Sequence, residues 1–314
     1  MRAAIKLSLL WWLLPILMVF LWASASVPAL ASVGAGPRVV ASIAPIHALV
    51  SAVMKGVGAP YLLVPSGMNA HHYALRPLDA RALANADYVF WVGLELERFL
   101  DKPLKGLGRR SRNVRLSDHV KKLPLRDDDD WRQHDHLAGD DGHKFDPHVW
   151  LDPENAKRMA VEITKHLSKA NPVNATVYER NRADLEQSIN LAARDVEAIL
   201  APVRSVPYVV FHDEYQYFEA RFGINAIGTI TIGSERAPSV ARISMVRRKV
   251  QESGAACVFY APQFRPKLVA TIIRGSNAKS ASLDAIGTTI VPGADAYPLL
   301  LRSLARQLKA CLAP

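Results

Sequence analysis

Short apolar runs alternate with longer amphipathic ones along most of the chain. In the first half, RVVASI (38–43), PYLLV (60–64), DYVFWV (87–92) and NVRL (113–116) have the β-branched and aromatic content of strands. Between them, APIHALVSAVM from Ala44 and PLDARALANA from Pro77 keep their apolar positions at helical spacing. The second half repeats the rhythm. PYVVF (207–211), INAIGT (224–229), ACVFY (256–260) and SASL (280–283) read as strands, and SVARISMVRRKVQES (239–253) is one of the helices separating them. Strands alternating with helices predict an α/β protein. No internal repeat stands out beyond that alternation.

Between the halves, Asn174 to Leu200 runs for 27 residues without a turn signal, with Pro172 and Pro202 on either side. Its apolar positions fall at helical spacing, which predicts one helix about 40 Å long at about 1.5 Å per residue. A helix of that length is able to run along two domains and join them.

The first 31 residues follow a different pattern. Arg2 and Lys6 precede an almost wholly apolar stretch from Leu9 to Trp22, and Ala29-Leu30-Ala31 supplies a small-x-small motif. This is the layout of a cleavable signal peptide over residues 1–31. A membrane anchor is the alternative, but the apolar run is short for a span and no basic stop-transfer cluster follows. No cysteine lies near the cleavage motif to carry a lipid, so a free periplasmic protein is expected. The remaining chain is long enough for two domains, and a whole-sequence hydrophobic content of 50% is rich enough to give each a core. A formal net charge of +10 invites a nucleic-acid partner. However, the lysines and arginines are scattered and the densest local charge is acidic, so no nucleic acid is expected. The two cysteines, Cys257 and Cys311, form an even pair in an oxidising compartment, which favours a disulfide over two buried thiols.

The candidate chemistry lies in the histidines. His71 follows the strand PYLLV, His148 precedes the helix that begins near Pro153, and His212 closes the strand PYVVF. In open α/β sheets ligands bind beyond the carboxyl ends of the strands, and three imidazoles make a strong zinc site. A lone histidine is more often a core or capping residue, and spacing alone leaves both readings standing.

The motifs go further. SIAPIHALVSAVMKGVG, HHYALRPLDARALANADYVFWVGLELERFL, FDPHVWLDPENAKRMA, FHDEYQYFEARFGI and LDAIG occur in this order over nearly the whole mature chain. In these the sequence resembles the metal-binding proteins of bacterial ABC importers, the cluster 9 or A-I solute-binding family, and specifically their ZnuA-type zinc members. DPHVWLDP is the most specific motif. The resemblance implies two Rossmann-like lobes with central, mostly parallel sheets, joined by one long backbone helix. On this reading residues 32–172 form the N-terminal lobe, 173–203 the linking helix and 204–314 the C-terminal lobe. It also implies Zn2+ held between the lobes by His71, His148 and His212, with Asp284 of LDAIG as the fourth candidate, and no catalysis. The expected partner is the membrane permease of a zinc ABC transporter, with a periplasmic zinc chaperone as a further one, and the expected state is a monomer. Two departures bear on the fourth ligand. The position before the first ligand, acidic in some zinc members, is Ala70 here, and the aspartate usual after that ligand is His72. A water is therefore the alternative to Asp284.

Residues 126–145 contain RDDDDWRQHDHLAGDDGH, which resembles the His- and Asp-rich loop that zinc-type members insert ahead of the second ligand. With so few large apolar residues the segment is expected to be disordered, with His134, His136 and His143 as weak capture ligands. A solvated acidic loop is the plainer reading. Two other functions are weighed. HDEYQ sets Asp213 and Glu214 beside His212, as a zinc hydrolase would need, but the HExxH spacing is absent. A manganese carrier would have a carboxylate where this chain has His212.

Overall fold

The computed structural model describes residues 36–126, 145–231, 238–263 and 267–314. The expected signal peptide, residues 1–31, lies outside them, as do His134, His136 and His143. No helix among the described residues is long and apolar enough to cross a membrane.

The first lobe is built on strands β1 (Val39–Ala41), β2 (Tyr61–Leu62), β3 (Tyr88–Trp91) and β4 (Arg112–Arg115), all parallel in the order β2-β1-β3-β4. Helices α1 (Ala44–Val53), α2 (Pro77–Asn85) and α3 (Asp101–Gly106) connect them, and α4 (Pro153–Ala170) closes the lobe. The long helix α5 (Ala175–Leu200) follows, with one 3-10 turn at each end. The second lobe carries β5 (Tyr208–His212), β6 (Gly228–Thr231), β7 (Cys257–Tyr260) and β8 (Lys279–Ser282). These are also parallel, in the order β6-β5-β7-β8. Helices α6 (Gln216–Phe222), α7 (Val240–Ser253) and α8 (Lys267–Ile273) lie between its strands, and α9 (Ala296–Leu312) ends it.

The residue content explains the strand order. Central strands of a parallel sheet are covered on both faces, so they are apolar throughout, as in YVFW of β3, YVVFH of β5 and CVFY of β7. The polar strands RNVR and KSAS sit at the edges as β4 and β8, where charge discourages pairing with another chain. Strand β6 starts four residues later than INAIGT suggests. Ile224 and Ala226 are buried, but they belong to the connection that leaves α6. The ladder begins only where the Ile227 N–H reaches the Tyr208 carbonyl at 2.8 Å.

Helix α5 buries Tyr178, Leu185, Ile189, Ala192, Val196 and Leu200 along one stripe and packs on α1 and α4 of the first lobe and α9 of the second. Each large apolar side chain buried there contributes about 1.5–3 kcal/mol. Asn181 on the same helix donates to the Val53 and Lys55 carbonyls at 2.9 and 2.8 Å, satisfying the end of α1. Cys257, which opens β7, is disulfide-bonded to Cys311 in the last turn of α9, as the even cysteine count suggested.

Candidate metal centre

Each of the three histidines is placed by local structure that the sequence dictates. His71 lies in a 3-10 turn, Ala70–His72, whose first residue follows Asn69. The Asn69 side chain accepts the His71 N–H at 2.9 Å, the cap expected of asparagine. The chain beyond is pinned by Asp79, which is wholly buried in the first turn of α2. Its carboxylate accepts from the Tyr61 and Tyr73 hydroxyls at 2.8 and 2.7 Å and from Arg76 through backbone and guanidinium. Burial pushes the Asp79 carboxyl up, but the Arg76 guanidinium and the two hydroxyls outweigh it and hold it well below the usual range.

His148 precedes a 3-10 turn, Val149–Leu151, and then α4, which Asp152 caps by accepting the Glu154 N–H at 3.0 Å. Asp146 Oδ1 accepts the His148 backbone N–H at 2.9 Å and lies 2.7 Å from Nδ1. With Nδ1–H donating to Asp146, the lone pair is on Nε2. Burial would lower the His148 pKa, but the Asp146 carboxylate prevails and holds it above the ordinary value. His212 ends β5, on a sheet whose strand order reverses at that strand. Both of its ring nitrogens are buried without a hydrogen-bond partner among the described residues. Burial first, and the neighbouring His148 second, push its pKa down to about 3, so the ring is neutral.

The fold brings the three together. One ring nitrogen from each of His71, His148 and His212 lies within 4.8 Å of the others, and among the described residues no other set of histidines, cysteines and carboxylates converges in this way. Ring centroids are 5.5–5.9 Å apart. His148 and His212 are 3% and 7% exposed and His71 is half-buried, so the cluster opens on one side. Three imidazole nitrogens at this spacing suit one borderline-soft divalent ion, and the unpartnered His212 nitrogens would be costly to bury without one.

Contacts between the lobes surround the cluster. Trp150, whose ring lies 5.3 Å from that of His148, donates its indole N–H to the Ala285 carbonyl at 2.9 Å. Its own carbonyl accepts from the Tyr297 hydroxyl at 2.6 Å. Arg221 on α6 grips Asp152 with two bonds of 2.8 and 3.1 Å, and Arg126 pairs with Glu219.

Asp284 stands apart from the converging nitrogens. Its Oδ1 accepts the Ile286 and Gly287 N–H groups at 3.2 and 2.9 Å, and its Oδ2 accepts the Thr288 N–H and hydroxyl at 2.6 and 2.7 Å. Both oxygens hold a tight turn that Gly287 completes at φ 73°. One residue beyond those named from the sequence emerges. Asp146 positions His148, and the signal was present as a carboxylate two places before it in DPH. Glu214 lines the same cavity as the three imidazoles.

Residues 39–311 match the family described as ZnuA, zinc-uptake complex component A, periplasmic. The high-affinity zinc uptake system protein ZnuA of Brucella abortus (strain 2308) is 41% identical over 310 residues, covering 88% of this chain and 93% of that protein. The Yersinia pestis protein of the same name is 34% identical over 293 residues, covering 88% and 92%. Among solved structures, a crystal structure of ZnuA matches with a TM-score of 0.75 at 22% identity, over 88% of this chain and all of that one. A Mn-bound periplasmic metal-binding protein from Candidatus Liberibacter asiaticus matches at 0.71 and 20%, over 88% and 99%. At those identities the structural likeness is one of fold. The sequence matches extend it to kinship, and the chain belongs to the ZnuA family.

Proposed function

We propose that this protein is the periplasmic zinc-binding component of an ABC-type importer. It takes up Zn2+ between its lobes and delivers it to the membrane permease, whose transport an ATPase drives. It carries its cargo without changing it chemically. The observation that carries the reading is His212, a buried, neutral imidazole with two unpartnered nitrogens facing two more imidazoles. Nitrogen donors of this kind favour zinc over harder ions.

In this reading His71, His148 and His212 are the protein ligands, and an oxygen donor takes the fourth place. Asp284 is the carboxylate the motif offers, at the expense of the turn it holds. Residues 1–31 direct export and are removed. The protein acts as a monomer, and His134, His136 and His143 gather zinc from the surroundings or from a periplasmic chaperone. Manganese is the second reading, favoured by the Mn-bound relative of the same fold.

Metal content after purification without chelator, followed by competition titrations, tests the proposal. One zinc per chain bound tightly, and lost in His212→Ala by orders of magnitude, is the expected result. Undiminished zinc binding in that variant would remove His212 from the site. A preference for manganese in the parent would replace the zinc reading with the second one. Exchanging nitrogen for a hard oxygen in His212→Glu should shift the zinc-to-manganese ratio toward manganese.

A further inference from the structure

Three imidazoles that ligate a metal do so as neutral rings and bring no charge to offset its own. A divalent ion among them keeps two positive charges that burial makes costly, and an anionic oxygen in the same cavity would offset them. Among the described residues one carboxylate lines that cavity. It is Glu214, two positions beyond His212, which shares the lining with the three imidazoles, Trp150 and Gln263. The other carboxylates nearby do not line it. Asp146 orients His148 through Oδ1, its Oδ2 buried and unpartnered among the described residues, Asp213 lies 3.7 Å from Arg126, and both oxygens of Asp284 hold the turn at Ile286 to Thr288.

The tether on Glu214 is weak for a definite reason. Its Oε1 lies 2.8 Å from the Tyr215 hydroxyl, but that hydroxyl is also 2.7 Å from the Leu283 carbonyl. A hydroxyl has one proton to donate, so it serves one of the two acceptors. The Leu283 carbonyl sits in a buried backbone and needs that proton, whereas the carboxylate opens on the cavity. Glu214 Oε2 forms no hydrogen bond with the described residues.

We propose that Glu214 supplies the fourth ligand of the bound ion through a carboxylate oxygen, an inference that rests on the zinc reading above. The carboxylate lies outside the set of nitrogens within 4.8 Å of one another, so it reaches the ion by rotating its side chain while Tyr215 stays on Leu283. The ion is then held by four protein ligands. A tetrahedral zinc with no open position has no activated water, and the site carries the metal without hydrolysing anything.

The full mature chain, crystallised with zinc and phased at the zinc edge, tests this together with chelator-competition titrations of Glu214→Gln. A Glu214 oxygen about 2.0–2.2 Å from the ion is expected. The variant should bind zinc at least about tenfold more weakly, the loss typical of even an outer-shell partner. Its metal-free melting temperature should be no lower than the parent's, because Gln fills the same volume without a buried charge. A water or an Asp284 oxygen in the fourth position would overturn the proposal and leave the three-histidine site standing. So would unchanged affinity in the variant, or weakened affinity with Glu214 away from the ion. A parent that binds no zinc would sink the site reading and this inference together.

Discussion

Oδ1 of Asp146 lies 2.7 Å from Nδ1 of His148 and accepts the same residue's backbone N–H at 2.9 Å. One oxygen thus fixes both the turn and the ring, and leaves Nε2 for the other two imidazoles. Replacing it by Asn keeps an acceptor for the N–H but removes the charge that makes His148 a better donor. Zinc affinity in Asp146→Asn should therefore fall by about 10–100-fold, as for other outer-shell carboxylates. Competition titration against a chelator measures it, and an unchanged dissociation constant would show that Asp146 only shapes the turn.

His134, His136 and His143 contribute to stoichiometry if they contribute at all, because His71, His148 and His212 lie on other segments. The parent should bind more than one zinc in calorimetry, and a variant with all three changed to Ser should bind one, with its tight site intact. Weak, water-exposed ligands predict micromolar affinity at best, about −8 kcal/mol. A single zinc on the parent would refute the capture role. Loss of the tight site in the variant would mean that one of the three is a primary ligand.

Much of this architecture was legible because parallel strands are buried on both faces and therefore stand out as continuous apolar runs. DYVFWV and ACVFY lie within a residue or two of β3 and β7. The strand that drifted, INAIGT, did so because burial in a connection and burial in a ladder look alike in sequence. The two sheets share one strand order, yet no sequence repeat announced it, since topology depends on the order of the runs and not on their residues. The three histidines could be picked out because each sits where a strand ends or a helix begins. Asp284 illustrates the limit. An aspartate followed by Ile-Gly-Thr is equally suited to bond its own turn, and only coordinates reveal that both oxygens do so. The role of Asp146 beside His148 and the place of Glu214 in the cavity lining were hidden for a related reason, since carboxylates beside histidines are common and their direction is set by neighbours distant in sequence.

The disulfide between Cys257 and Cys311 joins the first residue of β7 to the last turn of α9 across a sequence separation of 54. In the chain-entropy view a loop of that size stabilises by about 4 kcal/mol. Reduction, or the double change to Ser, should lower the melting temperature by on the order of 10 °C. Denatured, unreduced protein should take up no thiol label. Zinc affinity measured well below the lowered melting point should be nearly unchanged, because no ligand lies on β7 or α9. Full labelling without reductant, or an unshifted melting temperature, would contradict the role given to the bridge.

Glu97 gives the metal-free protein a definite pH dependence. The side chain is wholly buried beside Leu96 of the cavity wall, and its oxygens accept the Val92 and Gly93 N–H groups at 3.3 and 2.8 Å. Burial outweighs those bonds and pushes its pKa from 4.5 up to about 7. Between the two values the native state keeps a proton that the unfolded chain has released, so the native state binds more protons and stability falls as pH rises. The contribution is complete below pH 4.5, gone above about 7, and worth about 3 kcal/mol. Asp213 and Glu214 are also raised to about 7 by burial and act in the same window. The test is therefore a comparison of chelator-treated parent with Glu97→Gln. The variant loses an acceptor for one of the two N–H groups and should be less stable at acid pH, but its melting temperature should decline less steeply toward neutrality. Parallel curves would mean that Glu97 is ionised in the native state throughout, with its two N–H donors strong enough to overcome burial.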